Sequence, residues 1–152
     1  MGKAMDNRDH RVVSSFEEVL EQNGVLAYTN VGTSMMPLLR QGLDVIELRK
    51  KEPGERCKKY DVVLFRRGER YILHRILRVR KNDYLIVGDH CFEKEFVPDE
   101  RVIGVLVGIV RDGKQVGVGD LRYRAYVHLW CDFYPIRAAI LRLKAFLKRK
   151  KR

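Results

Sequence analysis

Three short segments of this 152-residue chain carry side chains that could break a covalent bond. The first is Gly32-Thr33-Ser34-Met35-Met36-Pro37, which follows directly on the apolar run Leu26–Val31. A serine just past a strand end and beside a glycine presents its hydroxyl, with backbone N–H groups close by to hold an oxyanion. Pro37 restricts the backbone of Met36 and shapes the turn that follows. A serine hydroxyl is a useful nucleophile only beside a base, and the second segment, Tyr71-Ile72-Leu73-His74-Arg75-Ile76-Leu77, offers one. With side chains alternating along a strand, His74 shares a face with Ile72 and Ile76. Apolar neighbours keep an imidazole neutral at pH 7, the state a general base needs. The third segment, Gly88-Asp89-His90, with Pro98-Asp99-Glu100-Arg101 after it, supplies carboxylates that could orient the imidazole. Each segment alone has an ordinary structural reading too: a turn serine, a core histidine and loop acids.

The elements that must position these residues are mostly strands. Residues 14–23 predict a short helix, capped by Ser14 or Ser15, with Glu17 and Glu18 at its positive end and Asn23-Gly24 as its stop. From Val25 onward, apolar runs at Leu26–Val31, Leu43–Leu48, Val62–Phe65, Tyr71–Val79, Tyr84–Val87 and Val102–Val110 alternate with turn signals. Asp112-Gly113 is a strong signal for a two-residue hairpin between Val110 and Val116. Strands at this spacing, without helices between them, predict an antiparallel or mixed sheet folded as a sandwich or partial barrel. Residues 121–149 read as helix again, interrupted at Pro135, with Ile136, Ala139, Ile140, Leu143, Phe146 and Leu147 at helical spacing among basic residues. The organisation is therefore an N-terminal helical segment (1–24), a β domain (25–120) and a basic amphipathic helical segment (121–152).

The net charge of +11 is unevenly placed. Residues 121–152 hold ten of the 31 basic residues and one of the 20 acids, Asp132. The body is thus nearly neutral and lacks the basic face of a nucleic-acid reader, so no nucleic-acid partner is expected. Three scattered cysteines, with no CxxC pair, argue against a disulfide framework or a zinc cluster and for a reducing compartment. No metal and no cofactor are expected. The N-terminal residues contain no apolar run of the secretory type. The longest apolar stretch, Val102–Val110, is about half the ~20 residues of a membrane-spanning helix. The expected location is the cytoplasm, with a peripheral membrane contact as the role open to the tail.

Taken in order, the segments resemble the type I signal peptidases and the LexA-like self-cleaving proteins. The boxes read GTSMMP (32–37), YDVVLF (60–65), YILHRI (71–76), GDH (88–90) and DERVIG (99–104), and the resemblance covers roughly Val25 to Val110. It implies a mainly β, mixed-sheet, partial-barrel fold and a serine peptidase that acts on a peptide or protein substrate. Ser34 falls where the family carries its nucleophile. His74, immediately before Arg75, falls where the bacterial membrane enzymes carry a general-base lysine; histidine there is the pattern of the endoplasmic-reticulum and archaeal type. Asp89 matches the acid of the family's Gly-Asp-Asn box, while Asp99 and Glu100 lie near its acid-before-Arg position. Gly32, Thr33, Met35 and Met36 become candidates for the oxyanion site and the substrate groove, although methionines after a turn also serve as core filler. The chain departs from the family in having Gly32 two residues before the nucleophile and His90 after Asp89, and it shows no membrane anchor ahead of the first box.

Two other readings compete. One is a non-catalytic peptide-binding module of the same fold. The other is a LexA-like self-cleaving regulator, against which stand the short segment before the first box and the absence of the family's Ala-Gly or Cys-Gly cleavage dipeptides. Residues 136–152, with eight basic residues and no acid, predict either a helix packed by its apolar stripe on the sheet or one resting on an anionic membrane surface.

Overall fold

In the computed structural model, which describes residues 15–150, Ser15 opens the first helix, α1 (Phe16–Asn23). The Ser15 hydroxyl accepts from the Glu18 N–H at 3.2 Å, and the Glu18 carboxylate accepts from the Ser15 N–H at 2.9 Å. This capping box satisfies two otherwise unpaired donors. Gly24, at φ 72°, ends the helix in the left-handed region glycine tolerates. The alternative cap Ser14, the rest of 1–14, and the tail residues Lys151 and Arg152 lie outside the described residues.

Eight strands follow: β1 (Val25–Thr29), β2 (Val45–Lys50), β3 (Val62–Arg67), β4 (Arg70–Val79), β5 (Asp83–Val87), β6 (Glu95–Pro98), β7 (Val102–Arg111) and β8 (Lys114–Gly117). They make one sheet in the order β1-β2-β7-β3-β4-β5-β6, with β8 beside β7. Every pairing is antiparallel, so the sheet is mainly β as predicted but not mixed. A parallel pair is usually joined by a helix, and no α-helix lies between β1 and β8. Nor does the sheet close: β7 slots between β2 and β3, and among the described residues β1 and β6 stand at the two ends of the strand order. The predicted hairpin joins β7 to β8, with Asp112 at φ 50° and Gly113 at φ 74°. Positive φ at both central residues matches the right-handed twist of the flanking strands.

Alternation along β3 and β4 builds a core on each face. Val62, Leu64 and Leu73 pack with Leu20, Leu48 and Leu106 on one side; Val63, Phe65, Ile72 and Ile76 pack with Tyr84, Ile86 and Val105 on the other. The chain then forms α2 (Leu121–Cys131), whose Tyr123 and Val127 join the first core, and α3 (Tyr134–Lys150). The break between them falls at Asp132-Phe133, not at Pro135. Pro135 occupies the first turn of α3, where its missing N–H costs no helical bond. Among the described residues, no helix is long and apolar enough to cross a membrane.

Candidate active site

The segment after β1 is pinned on both sides. Asn30, buried at the strand end, donates from Nδ2 to the Gly32 carbonyl at 2.8 Å, and Gln41 Nε2 donates to the Val31 carbonyl at 2.8 Å. The His90 N–H then donates to the Ser34 carbonyl at 2.8 Å, tying the serine turn to the turn after β5. Ser34 lines a cavity of about 900 Å³ together with Tyr28, Gly32, Ile72, His74 and Cys91.

His74 reaches the same cavity from the middle of β4. It lies on the Ile72–Ile76 face, as alternation requires, with its ring edge-on to Phe65 at 6.1 Å. What brings imidazole and serine together is Gly88. A Cβ at that position would lie 2.6 Å from the Ser34 carbonyl oxygen, 2.9 Å from Cys91 Sγ and 3.0 Å from His74 Nε2. The Ser34 backbone and Nε2 therefore stand no further apart than the sum of the first and last of those distances. Only glycine leaves room for this approach. Among the described residues no hydrogen bond joins the Ser34 hydroxyl to the ring; catalytic hydrogen bonds are often long or poorly aligned until substrate binds.

The other ring nitrogen faces an acid that the sequence reading does not include. Glu95, at the start of β6, places Oε1 3.4 Å from His74 Nδ1, without the alignment of a hydrogen bond. The same carboxylate pairs with Arg67. Burial is the largest influence on the imidazole and moves its pKa below the ordinary 6.5; Glu95 pulls the other way, and Arg67 adds to the lowering. Burial thus favours the neutral ring at pH 7, with Nε2 toward the Ser34 turn and Nδ1 toward Glu95.

The predicted acids sit elsewhere. Asp89 is wholly buried and accepts from Arg75 Nε and Nη2, both at 2.8 Å, and from the Tyr126 hydroxyl at 2.8 Å. The Trp130 indole N–H donates to its main-chain carbonyl at 2.8 Å. Arg75 follows His74 on β4 and so points to the opposite face, where it also donates to the carbonyl of Tyr60 at 2.9 Å. Asp89 is thus a strut that locks the 88–90 turn to β4 and α2, not the partner of the imidazole. Asp99 is further removed: it accepts from the Tyr84 hydroxyl and pairs with Lys51 and Arg56. Glu100, beside it in a short 3-10 turn, is not among the residues that line the cavity.

Of the groove candidates, Gly32 lines the cavity and Thr33 does not. Met35 is core, 2% exposed, with its sulfur accepting from the Asp89 N–H at 3.5 Å; Met36 is exposed and also outside the cavity lining. Glu95, beside the imidazole, and Tyr126 and Trp130, both on Asp89, are neighbours that the sequence reading missed. The signal for Glu95 is slight: an apolar pair, Phe96-Val97, closed by Pro98, in a strand of four residues.

Compared with known proteins, the chain matches no protein-family model and no curated protein sequence.

Proposed function

We propose that the chain is a serine peptidase of the signal-peptidase type, which cuts a peptide bond by acyl transfer through Ser34 with His74 as general base and Glu95 behind it. One observation carries the reading: Ser34 and a largely buried imidazole line one cavity, with Nε2 on the serine side and a carboxylate near Nδ1. The box order adds to it, with the serine after β1, His74 in the middle of β4 and the Gly-Asp turn after β5.

In the reaction, Nε2 takes the hydroxyl proton as the Ser34 oxygen bonds to the substrate carbonyl carbon. The resulting oxyanion takes a hydrogen bond from the Ser34 N–H, with Gly32 leaving space beside it. Nε2 then delivers the proton to the departing amine as the C–N bond breaks. Water, deprotonated by the same nitrogen, releases the acyl group and restores the hydroxyl. Glu95, 3.4 Å from Nδ1, offsets the positive charge that forms on the ring.

The test is covalent labelling with a fluorophosphonate. The expected result is one adduct on the peptide containing Ser34, absent in Ser34→Ala and at least about a hundredfold slower in His74→Gln, the usual scale of general-base assistance. No adduct on the wild type would favour the non-catalytic peptide-binding reading instead.

A further inference from the structure

The tail does not use its apolar stripe to pack. Along α3 the buried or half-buried positions are Tyr134, Arg137, Ala138, Leu141 and Ala145, which fall on one side of a 3.6-residue helix. The large apolar residues fall on the other. Ile136, Ile140, Leu143, Phe146 and Leu147 are between 49% and 60% exposed. The cations are arranged around this stripe. At 100° per residue, Arg142 lies along one flank, Lys144 along the other and Lys150 at its end, while Lys148 and Arg149 fall nearer the body-facing side; all five are exposed. No acid occurs between 136 and 152.

We propose that this face of α3 docks on an anionic lipid surface, with the stripe entering the headgroup boundary and the flanking cations meeting lipid phosphates and carboxylates. An exposed apolar stripe edged by cations on both sides fits a surface that is apolar inside and negative at its rim. Other occupants fit less well. A second copy, stripe against stripe, would press two sets of basic flanks together with no acid on either to relieve them. A nucleic acid would engage the cations and leave the stripe in water.

The docked helix also carries one wall of the cavity. The Tyr134 hydroxyl donates to the Phe92 carbonyl at 2.9 Å, the Lys94 ammonium lies 4.7 Å from the centre of the Tyr134 ring, and the Arg142 guanidinium lies 5.5 Å from that of Phe92. Phe92 and Lys94 line the cavity that Ser34 and His74 share. Docking thus fixes the 92–94 wall relative to the lipid surface, whether or not Ser34 is a nucleophile.

The experiment is co-sedimentation of the full chain with vesicles of phosphatidylcholine alone or mixed with phosphatidylglycerol, at low and high salt. The protein should pellet with the anionic vesicles at low salt, remain in solution with phosphatidylcholine, and be released by high salt. The pair Ile140→Glu/Leu143→Glu, at exposed positions, should keep the wild-type melting temperature and lose binding. Lys144→Gln/Lys150→Gln should weaken it, by roughly fivefold for each cation removed. Ser34→Ala should bind as the wild type does, which separates this inference from the peptidase reading. The proposal is overturned if the wild type stays in solution with anionic vesicles at low salt, if both vesicle types recover it equally, or if the two glutamates leave binding unchanged. A concentration-dependent dimer that those glutamates abolish, without vesicle binding, would assign the stripe to a second copy instead.

Discussion

Asp89 and Glu95 both act on the His74 imidazole through their charge, yet they are built for different work. Asp89 is wholly buried, and fixed donors from Arg75 and Tyr126 occupy its oxygens. Glu95 is partly exposed, is shared between Arg67 and the ring, and meets Nδ1 only loosely. A carboxylate whose acceptor positions are taken by rigid partners holds structure. One with spare capacity beside a titrating group can respond when that group gains a proton. The difference separates two roles that the linear order of the acids cannot.

The largest effect expected on breaking the contrast is at Asp89. Asp89→Asn leaves the Arg75 guanidinium buried without its counter-charge, and should cost about 3–5 kcal/mol of stability in a denaturant titration. Next is the turn itself: Gly88→Ala drives a methyl against the Ser34 carbonyl and the imidazole. It should cost about 1–3 kcal/mol and, on the proposed mechanism, slow fluorophosphonate labelling at the same time, because it pushes the Ser34 backbone away from His74 Nε2. Tyr126→Phe removes one charge-assisted bond to Asp89 and should cost about 1.5 kcal/mol, again read by denaturant titration. Glu95→Gln comes last, below about 1 kcal/mol, as suits a partly exposed ion pair. A loss at Glu95 as large as that at Asp89 would erase the distinction.

Much of this was legible in the residues, and the limit is parity. Ser34 after β1, His74 on its apolar face, the 112–113 hairpin and the α1 cap follow from local chemistry: turn residues, alternation and capping. The acid was not legible. His74 and Arg75 are neighbours that point to opposite faces, and nothing in the sequence says which of them meets the carboxylate of a turn fourteen residues on. β6 eluded the reading because only Val97 of its four residues is buried, so no periodic pattern marks it. The direction of the α3 stripe was open for a related reason. Helical spacing shows that a stripe exists, but only the packing of Tyr134, Ala138 and Leu141 shows which side faces the body.

Glu95 stabilises the protonated ring, and its contribution opposes the larger lowering by burial. A base whose folded pKa lies below 6.5 stays active as pH falls through 6.5, and loses activity only on protonation below it. Removing the Glu95 charge takes away an upward influence, so the pKa should fall further. The decisive measurement is therefore the rate of fluorophosphonate labelling at Ser34 as a function of pH, for the wild type and for Glu95→Gln. The account predicts a single acid limb with a midpoint below 6.5 in the wild type, moved to still lower pH in Glu95→Gln. A limb that stays in place in the variant, or a rate at Ser34 that does not depend on pH across that range, would contradict it.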